Sequence, residues 1–351
     1  MSYRPKALAL SLTIAGAAAA PGWSQDTNLR VMDWAGFDVP GLYADYEAKW
    51  GTKPDYEFVT SDDETFQKVN SGYRADVLKG CSQMVPRLRE ADLIQPWDPA
   101  LIPEIGNIDA DFLNSPVIQD KDGIWMIPTD WGVTAVAYNA EKVPTQDVAS
   151  LQVFTNPAYA GKTALPNASD DAWALAYLAT GVTDWTNVTE AQFQAAADWL
   201  RAAHKNVRNY FDSSTQMAQM MTSGDILVAW SWPDGFNYLS KEGFPVGNQR
   251  NPIEGITTWF CGVVHLKNAP AGDERAYDYV NSWIRPEAAK VLVDEIGYGH
   301  VNIEGMKVFD PSFLDQIGLG PVTGPALPQL PISGAQRERQ LSEFENIKAG
   351  F

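Results

Sequence analysis

Two cysteines and three histidines are all that 351 residues contain of those types. Cys81, Cys261, His204, His265 and His300 are scattered too widely to match any metal-ligand spacing, so no metal is expected. Basic residues are also few: 26 Lys and Arg stand against 44 Asp and Glu, a formal charge of −18. That balance argues against nucleic acid and against an anionic membrane surface as partners. It favours cationic ligands only weakly, since acidity also serves solubility. No apolar run reaches the ~18 residues of a permanent membrane span, so the chain should not be membrane-embedded. GxSxG, P-loop, HExxH and GxGxxG spacings are all missing. In "GLGPVTG" (318–324) the glycines are wrongly spaced and the prolines indicate loop. No cofactor is expected.

At the N-terminus, Arg4 and Lys6 precede an alanine-rich apolar stretch that ends in small residues and Pro21. This is the order of a secretory leader, assigned here to residues 1–25 with cleavage between Ala20 and Gln25. No cysteine lies there, so no lipid anchor is expected. Losing Arg4 and Lys6 moves the formal charge from −18 to −20. The 326 residues left are enough for two domains at about 150 each. An exported location permits disulfides, and the even count predicts a Cys81–Cys261 bond. Two buried free thiols are the alternative.

Short apolar runs alternate with amphipathic stretches. "LRVMDW" reads as a strand, followed by "GLYADYEAKWG" with Leu42, Tyr46 and Trp50 at helical spacing. "DYEFVT" (55–60) precedes the helix-like "SDDETFQKVNSG", where Ser61 and Glu64 have capping-box spacing. "ADVLKG" (75–80) precedes "MVPRLREADL". Such alternation implies an α/β fold with a mostly parallel sheet covered on both faces. Two long extended segments, 123–139 and 255–266, are suited to carry the chain from one domain to another and back. Residues 310–334, rich in Pro and Gly, read as loop.

Several predicted strands end on aromatics: "MDWAGF", "VAWSWPDG" and "TTWFCG", with "LKGCSQM" ending similarly on small residues. Ligands of open parallel sheets collect at the carboxyl ends of strands. Any one of Trp34, Trp230, Trp232 and Trp259 is as readily a core cap. Four in equivalent positions shift the weight towards a shared aromatic cleft, since indole stacks on alkyl chains and attracts cations. Trp34 and Phe37 would form one wall, with Gly36 between them allowing close backbone approach.

From about residue 28 to its end, the chain resembles the periplasmic polyamine-binding proteins that feed ABC importers. The resemblance rests on Trp34, "ADLIQPWD" (91–98), "IPTDWGVTAVAYN" (127–139), "NPAYAGK" (156–162), "VAWSW" (228–232), "EGITTWF" (254–260) and "RPEAAKVLVDEIGY" (285–298). It implies a two-lobed, type II-like periplasmic-binding-protein fold that closes on its ligand about a hinge. It also implies a monomer in the periplasm that binds without catalysis and hands its solute to a membrane permease. By the same resemblance, Trp34, Phe37, Trp230, Trp259 and Tyr298 hold the ligand's methylene chain, while Asp171 and Asp234 hold its amines. Ala35, Gly36 and Phe37 depart from the family's hydroxyl residue, acid and Tyr. Cys261 stands where the family has Asp, Cys81 where it has Ser, and Gln83 where it has Tyr. Each buried ammonium needs a carboxylate, so fewer acids leave open a smaller solute, an amino acid or another carboxylate. Arg250 and Gln83 would assist that ligand. Asp62 and Asp63 could lean over the cleft, but the favoured reading is that they start a helix.

The expected lobes are 27–130 with 262–300, and 136–254 with 306–351, crossing near 130–136, 254–262 and 299–306. A secreted glycoside hydrolase is the alternative from another class, since Trp platforms and paired acids also suit sugars. The acids here fall on helix starts, and no repeated barrel pattern occurs.

Overall fold

The computed structural model describes Met1 and residues 28–351. Apart from Met1, the expected leader lies outside the described residues. β1 (Arg30–Trp34), β2 (Asp55–Val59) and β3 (Val77–Cys81) lie parallel in the order β2-β1-β3. β4 (Ile127–Asn139) then runs as one extended strand of 13 residues. β5 (Thr163–Pro166), β6 (Val207–Phe211) and β7 (Val228–Ser231) form a second parallel group in the order β7-β5-β6. β8 (Val246–Gln249) pairs antiparallel with the end of β4. β9 (Ile256–Leu266) returns the chain, antiparallel to both β3 and β4.

The two groups are parallel within themselves, but the crossing strands run against them. The ladder is also continuous rather than split into two sheets. Residues 127–134 of β4 pair with β9, and residues 135–139 pair with β7 and β8. A strand long enough to cross between lobes has bonding edges in both, which is why it is buried along nearly its whole length, Thr129, Asp130 and Thr134 included.

Helices cover both faces. On the first group, one core gathers Leu42, Tyr46, Tyr279 and Trp283, and another gathers Phe66, Val69, Val85 and Leu88. On the second, Trp173, Leu200 and Trp230 pack on one face, and Met217, Met221 and Leu239 on the other. No helix among the described residues is long and apolar enough to cross a membrane. The helix Asp62–Asn70 is capped by Ser61, whose Oγ accepts from the Glu64 N–H at 3.1 Å. The reciprocal half of the capping box is displaced, because the Glu64 carboxylate takes the N–H and Oγ of Thr60 instead. Pro286 starts a new helix, Pro286–Val291, where its fixed φ suits the first turn.

Residues 310–334 are not loop throughout. Pro311 opens a short helix, Pro311–Gln316. Ala326–Pro328 joins the sheet as a strand parallel to Ile256–Thr258. Pro328 can take this place because it lies on a sheet edge, where a missing N–H costs little.

Candidate functional site

One cavity of about 340 Å³ opens between the two groups of strands. Trp34, Ala35, Phe37, Cys81, Gln83, Trp259, Cys261 and Tyr298 line it from one side, and Asp171, Asp212, Trp232 and Asp234 from the other. Of the residues singled out from sequence, Trp34, Phe37, Gln83, Asp171, Asp234, Trp259, Tyr298, Cys81 and Cys261 all meet here.

Trp230 does not. It is fully buried in the core of the second lobe, and Trp232 takes the expected place. β7 ends at Ser231, and Trp232 is the N-cap of the helix Pro233–Lys241. The break re-aims the second indole, so the two Trp residues do not share the one face that strand alternation would give them. Trp232 Nε1 donates to Asp171 Oδ2 at 3.1 Å, and its ring meets Phe211 edge-on. Arg250 also lies elsewhere: it is buried against the Gly320 carbonyl and 3.7 Å from Asp315.

Gly36 has a conformational role in the turn between Trp34 and Phe37. The Phe37 N–H donates to the Trp34 carbonyl at 3.3 Å, closing a four-residue turn, and Gly36 has φ +96° within it. A side chain would disfavour that φ, while a Cβ there would meet nothing within 4 Å. The turn alone is enough to require glycine here. Gly132 is the position fixed by space: a Cβ on β4 there would lie 2.6 Å from the Trp259 ring.

The two sides are joined by hydrogen bonds. Trp259 Nε1 donates to Thr134 Oγ1 at 3.1 Å, and that hydroxyl donates to Asp171 Oδ1 at 3.2 Å. Gln329, set in place by the strand Ala326–Pro328, donates to the same oxygen at 3.0 Å. Gln83 Nε2 in turn reaches Gln329 Oε1 at 3.3 Å and Asp62 Oδ2 at 3.2 Å. Gln329 lay in a segment read as loop, and only its strand placement brings it here.

Asp62 and Asp63 do start a helix, and they also line the cavity. With Asp170, Asp171, Asp212 and Asp234 they make six carboxylates around one space, so the wall is far more acidic than the departures at Gly36 and Cys261 imply. Asp63 pairs with Arg87 at 2.6 Å, and Arg337 lies 3.0 Å from Asp170 and 3.5 Å from Asp63. Among the described residues, Asp62, Asp171 and Asp234 form no ion pair with a cation. Burial pushes Asp62 up to about 8, the nearby Asp170 adding to the rise and Arg337 opposing it. Burial likewise raises Asp171 and Asp234 to about 6 each, against the hydrogen bonds that each accepts. Asp62 Oδ1 is buried with no hydrogen-bond partner. Carboxylates raised by desolvation and lacking a cation are what a cationic guest would relieve. Among the described residues, no group of three or more His, Cys, Asp and Glu is arranged to hold a metal ion.

Cys81 and Cys261 face each other across β3 and β9 and form a disulfide in the cavity wall. The register of β9 on β4 shifts at Cys261/Gly262, a bulge beside the site.

A cleft between two α/β lobes joined by crossing strands defines a solute-binding protein. The profile of the family "Bacterial extracellular solute-binding protein" matches residues 42–304, and the chain belongs to that family. It is 25% identical over 319 residues to the "Spermidine/putrescine-binding periplasmic protein" of Escherichia coli (strain K12), covering 90% of this chain and 87% of the relative. It is 28% identical over 319 residues to the "Putrescine/agmatine-binding protein" of Pseudomonas aeruginosa, covering 84% of each. The solved structure of a "Putative spermidine/putrescine ABC transporter from Listeria monocytogenes" superposes with a TM-score of 0.80 at 20% identity, over 92% of this chain and 99% of that one. The resemblance to periplasmic polyamine-binding proteins read from the sequence is thus borne out.

Proposed function

We propose that this chain captures a small amine-bearing, polyamine-like solute in its interlobe cavity and delivers it to the membrane permease of an ABC importer. It acts in the periplasm without catalysis. The observation that carries this reading is the meeting of six carboxylates with the rings of Trp34, Phe37, Trp232, Trp259 and Tyr298 around one cavity. Acids neutralise ammonium groups and flat rings cover methylenes. The relatives named above, a spermidine/putrescine-binding and a putrescine/agmatine-binding protein, point the same way. A carboxylate-bearing solute fits poorly against so many acids, and the cationic Arg87 and Arg337 are already paired. The lobes are proposed as 27–130 with 262–300 and 136–254 with 306–351, hinged on β4 and β9.

Calorimetry with putrescine, spermidine, glutamate and γ-aminobutyrate tests the reading. Heat is expected from the first two, and heat only from the carboxylate-bearing solutes overturns it. Asp171→Asn should weaken putrescine binding by at least about tenfold, since an amide cannot neutralise an ammonium.

The two adjacent tryptophans should separate in the same assay. Trp232→Ala is expected to cost more than about tenfold in affinity, over about 1.4 kcal/mol. Trp230→Phe should leave affinity within about twofold and lower only the melting temperature, because that indole fills the core. The opposite pattern would return Trp230 to the site.

A further inference from the structure

Behind the wall formed by Trp34 and Phe37 lies a second ammonium-binding arrangement, already filled. Lys79, on β3, has a side chain with no solvent exposure, and its Nζ lies 2.9 Å from Asp130 Oδ1. The ammonium sits 3.7 Å from the Phe37 ring centroid and 4.4 Å from that of Trp283, and those two rings are stacked at 15°. Trp34 is a third neighbour, at 5.7 Å. The contact with Asp130 is an ion pair rather than an aligned hydrogen bond, since Nζ has no hydrogen-bond partner. Asp33, wholly buried, is a second acid whose charge interacts with Lys79. Aromatic faces plus carboxylates form the same chemistry as the open cavity, here occupied by the protein's own amine.

We infer that Lys79 is a specificity-determining residue: its ammonium, held against the rear of the Trp34–Phe37 wall, limits how much positive charge the ligand can bring to that wall. The inference rests on the reading of the cavity as an amine site. A ligand cation over the front of Phe37 would lie roughly 8 Å from Nζ, where at an effective dielectric near 20 the repulsion, partly offset by the Asp130 charge 2.9 Å from Nζ, amounts to about threefold in affinity. The ring's negative face is also shared with Lys79, which weakens its cation–π attraction for a guest. Ligand ammonium groups are therefore directed to Asp62, Asp171 and Asp234, while the Trp34, Phe37 and disulfide wall receives the uncharged part of the ligand.

The test compares three amines of increasing charge: 4-aminobutan-1-ol, putrescine and spermidine. Their affinities are measured by calorimetry on the full mature chain and on Lys79→Met and Lys79→Arg. Lys79→Met should raise the preference for each added charge by about tenfold, removing the cation while keeping the side-chain volume. Lys79→Arg should keep the parental preferences. Lys79→Met leaves Asp130 buried without its partner, which threatens folding. Lys79→Met/Asp130→Asn removes both charges, and its expected gain in preference is about threefold. Preferences unchanged in whichever of these two variants folds overturn the inference while leaving the amine site standing. Failure of the parent to bind any of the three amines overturns both.

Discussion

Putrescine affinity should fall by at least about a hundredfold between pH 8 and pH 5.5, with protons released on binding throughout that range. The ligand's own ammonium groups, like that of lysine, stay charged there, so the change must come from the protein. Burial raises Asp62 to about 8 and Asp171 and Asp234 to about 6. A bound dication favours their ionised forms. Near neutral pH the released proton comes mainly from Asp62, and below pH 6 Asp171 and Asp234 contribute as well. Calorimetry in buffers of different ionisation enthalpy counts these protons directly. An affinity that is flat with pH, or a heat that does not depend on the buffer, would show that the three acids do not face the ligand's charge.

Stability of the ligand-free protein should move in the opposite sense. A carboxyl whose folded pKa is raised holds more protons in the folded than in the unfolded state. Stability then falls as pH rises through the raised value. Asp33, raised by burial to about 7, acts in the same direction as the three cavity acids. Buried His300, lowered to about 4, opposes them below its ordinary value of 6.5. The clean window is therefore pH 8 to 6.5, where the ligand-free melting temperature should rise on acidification. The stabilisation conferred by putrescine should shrink over the same interval.

Much of this architecture was legible because hydrophobic period and turn chemistry are local. The alternation of strands and helices, the restart at Pro286 and the long runs at 123–139 and 255–266 all follow from neighbours in sequence. The site was legible only in part. Trp230 and Trp232 look alike until the helix that begins at Pro233 turns one of them away. Gln329 reaches the cavity because three residues pair with β9 across a separation no local pattern reports. Asp62 and Asp63 carry a clear helix-start signal, and that signal outweighs their second position on the cavity wall. Lys79 gives almost none: a lone lysine in an apolar run is a buried ion pair only if an acid from another strand meets it, as Asp130 does. Acids lost at Gly36 and Cys261 could be read from the sequence; of those supplied from helix starts, Asp62 is open as a cleft residue but outweighed by its helix-start signal, and Asp170 gives no signal of its own.

Removing the disulfide with Cys81→Ala/Cys261→Ala should produce the largest loss of stability, up to about 5 kcal/mol on the chain-entropy account. The bond spans a sequence separation of 180, so the unfolded chain it constrains is long. It also links β3 to β9, which belong to distant parts of the sequence and pair antiparallel from Cys261↔Cys81 to His265↔Val77. That pairing does not depend on the sulfurs, and the native register should survive in the variant. Putrescine should therefore still bind, and its stabilising effect should restore part of the lost melting temperature. A second readout is chemical: the unfolded, unreduced parent should yield no reactive thiol. Two titratable thiols, or a variant that melts with the parent, would show that strand pairing alone holds this wall of the cavity.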